Sequence, residues 1–303
     1  MNLTVNIGNL KLKNPVMTAS GTFGYGEEYA EFIDLNRLGA IVVKGISIEP
    51  MEGNPPPRTW ETPCGMLNAI GLQNIGLKRF LKEKLPFLRK FDTKVIVNIL
   101  GNTFEEYAKL ACSLDEEGVD AIELNVSCPN VKRGGIIFGT DKKMLAKLVA
   151  GVKKCIKSAT LITKLSPNAS DIKEFAIVAE SSGSDAISLI NTIRGMSIDI
   201  ETRKPRLVNV IGGLSGPAIR PIAVRMVWEA YEAVNIPIIG IGGIIKSEDA
   251  IEFMLAGASA VQVGTGNFLN PRATIEIVDG IEAYLKRKSV SNVGEIVGAF
   301  IGS

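Results

Sequence analysis

The thiol of Cys128 is the side chain whose type and position point most directly to chemistry. It lies in the run NVSCPN, residues 125–130, at the end of an apolar segment. The sequence contains no histidine, so a Ser-His-Asp triad and any metal site that needs imidazole are excluded. Proton transfer near neutral pH must then use a cysteine, lysine, tyrosine or carboxylate. We therefore take Cys128 as the candidate catalytic residue, because a thiol can act as a base or a nucleophile.

The other three cysteines carry no comparable signal. Cys64, Cys112 and Cys155 form no CxxC pair with one another or with Cys128, so no metal or thioredoxin-like site is predicted. Cys112 and Cys155 fall in amphipathic helical segments, where we expect buried structural thiols. Reduced thiols and the absence of a signal-peptide-like apolar core near the start favour a cytoplasmic protein.

Composition narrows the classes of partner. The net charge is +2 over 303 residues, which gives no electrostatic case for a nucleic-acid partner. No apolar run reaches the roughly 18 residues that a membrane-spanning helix needs, so no membrane association is expected. The hydrophobic fraction of 46% and the charged fraction of 22% exclude a disordered chain.

Eight short apolar runs rich in β-branched residues alternate with longer amphipathic segments, a pattern typical of βα units around a parallel sheet. The predicted strands are Pro15–Ser20, Ala40–Gly45, Lys94–Leu100, Ala121–Cys128, Leu161–Pro167, Ala186–Thr192, Pro237–Gly243 and Ala260–Gly266. The predicted helices include Phe104–Gly118, Ser247–Ala256 with Ser247 as N-cap, and a long last helix that Pro271 opens.

No linker divides the chain, so eight such units favour an α/β fold in which residues 1–303 form one (β/α)8 TIM barrel rather than a doubly wound sheet. A short β segment precedes the barrel. Two long excursions, Ile46–Gly65 and Ile193–Gly216, follow strand ends on the carboxyl face, where barrel enzymes keep their chemistry. We expect them to be functional loops, with disordered decoration as the alternative.

Glycines end the last two predicted strands. Gly242-Gly243 follows one strand and Gly264-Thr265 follows the other. Barrels commonly bind phosphate at these two loops, because glycine lets backbone N–H groups approach the oxygens. The two pairs predict a ligand that carries a phosphate; the alternative is that the glycines only permit tight turns.

Lysines and asparagines end other strands. Lys44 and Lys164 could stabilise negative charge on a cofactor ring or a carboxylate ligand. A planar ligand with alternating N–H and C=O groups suits a set of asparagine amides. The asparagines in question are Asn68, Asn98, Asn125 and Asn191.

These residues fall in stretches that match a known family in order along almost the whole chain. The stretches are PVMTASGTFGYG (15–26), VVKGIS (42–47), NAIGLQN (68–74), ELNVSCPN (123–130), TKLSPN (163–168), LINT (189–192), GGLSGPAIRP (212–221), IGIGGI (239–244) and VQVGTG (261–266). The chain resembles the class 1 dihydroorotate dehydrogenases, flavin enzymes that oxidise (S)-dihydroorotate to orotate in de novo pyrimidine (UMP) biosynthesis. The resemblance implies that Cys128 is the general base and that hydride passes to N5 of FMN.

The resemblance also implies the binding residues. FMN would contact Ser20, Lys44, Gly45, Asn98, Asn125, Lys164, Ile190, Gly216, Gly242, Gly243, Gly264 and Thr265. Dihydroorotate would contact Lys44, Asn68, Ala69, Ile70, Gly71, Leu72, Asn125, Asn191 and Thr192.

The subclass follows from the run NVKRGGIIFGTD, residues 130–141, which resembles the NAD+-linked 1B form. That form passes electrons to NAD+ through a partner subunit that carries FAD and a [2Fe–2S] cluster, in a heterotetramer of two catalytic and two electron-transfer chains. The alternatives are the fumarate-linked 1A form and an FMN barrel like that of dihydropyrimidine dehydrogenase. A non-catalytic phosphate-binding barrel and a Schiff-base enzyme using Lys164 are more distant alternatives.

Overall fold

The computed structural model describes residues 1–126, 139–169 and 171–302. The strands are β1 (Val5–Ile7), β2 (Leu10–Leu12), β3 (Val16–Thr18), β4 (Ala40–Ile46), β5 (Thr59–Thr62), β6 (Gly65–Asn68), β7 (Lys94–Ile99), β8 (Ala121–Asn125), β9 (Thr160–Lys164), β10 (Ala186–Leu189), β11 (Ile193–Met196), β12 (Ile211–Ser215), β13 (Ile238–Ile241) and β14 (Ala260–Val263). The helices are α1 (Gly76–Arg79), α2 (Leu85–Leu88), α3 (Phe104–Glu116), α4 (Lys142–Lys153), α5 (Ile172–Ser181), α6 (Arg220–Tyr231), α7 (Ser247–Leu255), α8 (Gly266–Leu269) and α9 (Ala273–Lys288).

Eight parallel strands close into a barrel in the order β10-β13-β14-β3-β4-β7-β8-β9. Each of the eight predicted strands is present, although most end a few residues earlier than expected. Residues of β8 and β9 are buried along their full length, because one side faces the barrel interior and the other faces the helices. The predicted (β/α)8 fold class is therefore confirmed.

The helices pack around the barrel through apolar faces. Thr103 caps α3 by accepting a hydrogen bond from the backbone N–H of Glu106, and Gly118 follows the helix with φ +70°. Two expected helix starts are wrong. Lys246 rather than Ser247 is the N-cap of α7, and Pro271 lies in the turn before α9, whose N-cap is Arg272.

The thiols also differ from expectation. Cys155 follows the end of α4 instead of lying in it, and both Cys112 and Cys155 are half-buried rather than buried. Burial and the neighbouring Cys112 thiol raise the pKa of Cys155 to about 11, so this thiol stays protonated at neutral pH.

A hairpin closes the amino-terminal end of the barrel. It is formed by β1 and β2, which pair antiparallel and bury alternate side chains. Its turn residue Gly8 has φ +59°, and a Cβ there would lie 3.0 Å from Cβ of Asp185, next to the start of β10. The short predicted N-terminal β segment is thus present, and it leaves the carboxyl end of the barrel as the open end.

The two long excursions form a second sheet instead of irregular loops. Its order is β11-β12-β6-β5, with antiparallel pairing throughout. The pairing of β6 with β12 places Leu67 opposite Leu214, so the sheet joins the excursion after β4 to the one after β10. In the described part of the chain, no helix has the length and apolar character to cross a membrane.

The loop between α4 and β9 depends on one carboxylate. Asp115 accepts backbone N–H bonds from Lys157, Ser158 and Ala159 at 2.9, 2.9 and 2.7 Å. Burial alone would raise the pKa of Asp115, but these donors and the charge of Lys157 hold it below its ordinary value. The stabilisation is therefore present above the pKa of the unfolded chain and is lost as pH falls through the folded pKa.

We predict that Asp115→Asn lowers the free energy of unfolding by about 1–3 kcal/mol at pH 7, because hydrogen bonds to a charged acceptor are weakened. Urea unfolding checks this, and the difference from the unmodified protein should shrink as pH falls below about 4. Asp92→Asn is the matched control, because the Asp92 side chain is 93% exposed and forms its ion pair with Lys13 at the surface. Equal losses in the two variants would contradict the interpretation.

Candidate active site

A cavity of about 490 Å³ opens at the carboxyl ends of the barrel strands, beneath residues of the second sheet. Its volume is in the usual range for a small-molecule site. The described residues that the sequence predicted to bind a ligand all line this cavity. They are Ser20, Lys44, Gly45, Asn68, Ala69, Ile70, Gly71, Leu72, Asn98, Asn125, Lys164, Ile190, Asn191, Thr192, Gly216, Gly242, Gly243, Gly264 and Thr265.

Cys128 lies outside the described residues, so its role as the base stays a prediction. Asn125, three residues before it on the chain, ends β8 and lines the cavity. The backbone oxygen of Asn125 accepts a hydrogen bond of 2.8 Å from the hydroxyl of Tyr107 on α3. This bond fixes the carboxyl end of β8, where the NVSCPN run begins.

The glycine pairs after β13 and β14 form one end of the cavity. No acceptor among residues 1–126, 139–169 and 171–302 takes the backbone N–H groups of Gly243, Gly264 or Thr265. Thr265 is buried and Gly243 and Gly264 are half-buried. Backbone N–H groups with little access to water normally find a partner, so these groups suit the oxygens of an anionic ligand. The donor set fits a phosphate at the position that the sequence predicted.

Gly243 and Gly264 are glycines for different reasons. Gly243 has φ +73°, and a Cβ there would lie 2.8 Å from both Cβ of Arg220 and the backbone oxygen of Gly216. Gly264 has no left-handed backbone, and a Cβ there would meet its nearest protein atom only at 3.6 Å. A tight turn therefore explains why residue 243 is glycine. It does not explain Gly264, because the protein itself has room for a Cβ there and the Cβ would instead lie in the cavity.

Asp249 supports the loop after β13, and sequence reasoning missed it. It is buried and accepts N–H bonds from Ile245 at 3.0 Å and from Lys246 at 3.1 Å. It also forms an ion pair with Arg220, the first residue of α6. These bonds hold the chain that follows Gly243 against the start of α6. The sequence carries no capping-box signal for Asp249, because the N-cap residue Lys246 has no side-chain acceptor.

The floor of the cavity is a polar cluster centred on Glu123. This carboxylate is 0% exposed, and it accepts hydrogen bonds from Asn98 at 2.7 Å, Ser188 at 2.9 Å and Gln262 at 2.7 Å. Lys164 completes the set, with its Nζ 3.4 Å from Oε1 of Glu123. β14, which carries Gln262, lies four strands from β8 in the eight-stranded ring, so the carboxylate reaches the barrel axis.

The donors around Glu123 determine its charge. Burial alone would raise the pKa of Glu123, but the charge of Lys164 and the hydrogen bonds from Gln262, Asn98 and Ser188 lower it below its ordinary value. The carboxylate is thus ionised at neutral pH. An ionised carboxylate only accepts hydrogen bonds, so Asn98 must turn its NH2 group to Glu123 and its oxygen elsewhere. That oxygen lies beside Gly45, where a Cβ would come within 2.9 Å of it.

Glu123 lies in the run ELNVSCPN, but no role was predicted for it. The signal that could have found it is the period of two along a strand. Glu123 and Asn125 lie two residues apart on β8 and so point to the same side.

Lys44, on β4, supplies a further positive charge to the cavity wall. Burial, and then the charge of Arg58, lower the pKa of Lys44 from its ordinary value of 10.5, while Glu28 acts in the other direction. Its Nζ has no hydrogen-bond partner among the residues that the structure describes. A half-buried cation without a partner favours an anionic ligand group beside it, such as a carboxylate.

The predicted substrate loop, residues 68–72, is held by neighbouring segments. Asn54 donates its side-chain amide to the oxygen of Ala69 at 2.8 Å, and its backbone N–H bonds the oxygen of Ile70. Asn68 donates to the backbone oxygen of Gly213 in the second sheet at 3.3 Å. The two long excursions therefore hold the roof of the cavity in place.

The arrangement can bind a phosphate at one end, a planar ring with imide-type groups above the polar floor, and a carboxylate near Lys44. In the described part of the chain, no three Cys, Asp or Glu side chains lie together as metal ligands would. Fold and site together are those of a (β/α)8-barrel enzyme whose cavity suits a phosphorylated, planar ligand.

Comparison with known proteins identifies the family. The sequence profile described as "Dihydroorotate dehydrogenase" matches residues 2–285. The chain belongs to the dihydroorotate dehydrogenase family, which is flavin-dependent. The N–H groups at the phosphate end and the amide and lysine donors of the floor fit a flavin nucleotide.

The similar curated proteins agree in name. The chain is 59% identical over 299 residues to "Dihydroorotate dehydrogenase B (NAD(+)), catalytic subunit" of Thermoanaerobacter sp. (strain X514), with 99% of both chains covered. It is 57% identical to the protein of the same name from Geotalea daltonii, and the alignment covers 98% of this chain and 97% of that protein. The predicted similarity to the NAD+-linked form is confirmed by these relatives.

A solved structure has the same fold. The crystal structure of DHODH in complex with ferulenol from Eimeria tenella superposes with a TM-score of 0.81, at 24% sequence identity, over 98% of this chain and 88% of that one. At this identity the likeness shows the fold alone.

We predict that Gly243→Ala lowers the free energy of unfolding by at least about 1–2 kcal/mol, because an alanine there is forced into a left-handed conformation. Gly264→Ala should leave stability unchanged or raise it by up to about 1 kcal/mol, because its backbone and its surroundings accept a methyl group. Urea unfolding of the ligand-free variants measures both. A similar loss in the two variants would mean that Gly264 is required by the fold itself.

Proposed function

We propose that this chain is the FMN-carrying catalytic subunit of an NAD+-linked dihydroorotate dehydrogenase, which oxidises (S)-dihydroorotate to orotate in pyrimidine biosynthesis. The observation that carries the proposal is the cavity in which groups suited to a phosphate, a planar ring and a carboxylate lie together. The names of the relatives favour the NAD+-linked form over the fumarate-linked alternative.

Asn98 and Lys164, which line the cavity, and the residues of the glycine loops would hold FMN. The backbone N–H groups at Gly242, Gly243, Gly264 and Thr265 would bind its phosphate. Asn98, with its oxygen turned away from Glu123, would accept a hydrogen bond from the ring imide. FMN, when bound, would take two electrons from the substrate and acquire negative charge. Lys164 would stabilise that charge from the floor.

Other cavity residues would orient dihydroorotate. Lys44 would pair with the substrate carboxylate, because an ammonium group that lines the cavity forms a charge-assisted hydrogen bond with such a group. The amides of Asn68, Asn125 and Asn191, with Thr192, would bind the imide edge of the substrate. Cys128 would take the proton from C5 as the hydrogen at C6 leaves with its electron pair, and the C5=C6 double bond forms. Holding the substrate in this way makes the proton transfer effectively unimolecular.

The electrons must leave the chain after each turnover. We propose that a partner subunit carrying FAD and a [2Fe–2S] cluster takes them to NAD+, in a heterotetramer of two catalytic and two electron-transfer chains. The support is the name "catalytic subunit" of the relatives, which implies a second subunit.

Turnover with defined acceptors tests the proposal. The purified chain with dihydroorotate should reduce NAD+ only after the electron-transfer subunit is added, and it should not use fumarate on its own. Uracil and NADPH in place of dihydroorotate and NAD+ should give no turnover. Fumarate-dependent oxidation by the chain alone would instead support the 1A form, and turnover of uracil would support a dihydropyrimidine dehydrogenase-like enzyme.

We predict that Cys128→Ala slows reduction of bound FMN by dihydroorotate by about 10²–10⁴-fold, because a positioned base contributes about that factor. FMN should remain bound, since its predicted contacts lie elsewhere. Stopped-flow absorbance under anaerobic conditions measures the rate. In the unmodified protein the rate should rise with pH as the thiol ionises. An unchanged rate in the variant, or a flat profile between about pH 6 and 9, would remove Cys128 from this role.

A further inference from the structure

The ionised carboxylate of Glu123 is a group that the proposed reaction does not use. A buried charge loses its hydration, so it is tolerated only where other groups replace the lost water. Each oxygen of Glu123 accepts two hydrogen bonds, Oε1 from Asn98 and Lys164 and Oε2 from Ser188 and Gln262. Four side chains from four strands thus stabilise one negative charge at the barrel axis.

Lys164 connects this charge to the cavity. Its Nζ donates to the hydroxyl of Ser20 at 3.1 Å and to Oε1 of Glu123 at 3.4 Å, and the residue lines the cavity. The ammonium group has three N–H donors, so one remains for a ligand beyond these two described partners. The side chain of Lys164 is 5% exposed and that of Glu123 0%, so little water screens their interaction.

We propose that Glu123 is a positioning residue of the cofactor site, and that its carboxylate offsets the charge of Lys164 and so sets the reduction potential of the bound flavin. The proposal rests on the proposed function, because it requires FMN in the cavity above Lys164. Glu123 acts through Lys164 and itself touches the other floor residues, Asn98, Ser188 and Gln262.

The charges of the floor predict an order of potentials. In the unmodified protein the pair is neutral, and in Glu123→Gln it carries one positive charge. Because FMN gains negative charge on reduction, the midpoint potential of Glu123→Gln should be less negative than that of the unmodified protein. Lys164→Met leaves one negative charge, so its potential should be more negative. The double variant removes both charges, and its potential should lie between those of the two single variants.

The measurement is a spectroscopic redox titration of each FMN-loaded variant at constant pH and ionic strength. Ser188→Ala is the matched control, because it removes a hydrogen bond to Glu123 without changing any charge; its potential should equal that of the unmodified protein. An unchanged potential in Glu123→Gln, or a shift to more negative values, would overturn the proposal and leave Glu123 with a purely structural role.

The double variant keeps the test decisive if Glu123→Gln does not fold, because a buried ion pair can often be replaced as a unit. Adding Glu123→Gln to Lys164→Met should then move the potential towards less negative values, and no movement would overturn the proposal. Failure of the proposed function has a different outcome. In that case the unmodified protein would bind no FMN, or dihydroorotate would not reduce the FMN that it binds.

Discussion

The closed barrel places a charge where a fold of this kind would ordinarily place branched apolar side chains. Glu123 sits at the barrel axis with no exposed surface, and it is tolerated there because donors from β7, β9, β10 and β14 converge on it. The carboxylate in turn directs the amide of Asn98 and holds Lys164. The polar floor of the cavity is therefore a consequence of satisfying one buried anion.

The rest of the site is arranged around that rigid floor. The carboxyl ends of the eight strands meet at one rim, which brings residues from positions 20 to 265 to the same cavity. The glycine loops after β13 and β14 are held by backbone geometry and by the Asp249–Arg220 pair. The second sheet covers the cavity from above, and its pairing of β6 with β12 spans almost 150 residues of chain, as the separation of Met66 and Ser215 shows.

The sequence predicted the barrel well because the signal for each of its strands is local. A run such as Ala121–Asn125 is buried on both sides, and its sequence predicts a strand without any information about the strands beside it. The second sheet could not be predicted in the same way. β5 is exposed and lies in a proline-rich segment, and β11 and β12 contain Gly195, Gly212 and Gly213, which disfavour a strand. These segments become strands through their pairing with one another.

The residues that line the cavity were predictable for a similar reason, since polar residues at the ends of apolar strands stand out in sequence. Glu123 did not stand out as a site residue, because its role depends on Gln262 from the opposite wall. Ser247 and Pro271 were misplaced by one or two residues, because capping is decided by local geometry that the pattern does not resolve.

The central claim is that the cavity above the Glu123–Lys164 pair holds FMN and receives electrons from dihydroorotate. The most direct measurement is the visible absorption spectrum of the purified chain, followed by anaerobic titration with dihydroorotate. The account predicts a yellow protein that releases FMN on denaturation and is bleached by dihydroorotate but not by dihydrouracil. A colourless protein that binds no added FMN, or bound FMN that dihydroorotate leaves oxidised, would contradict it.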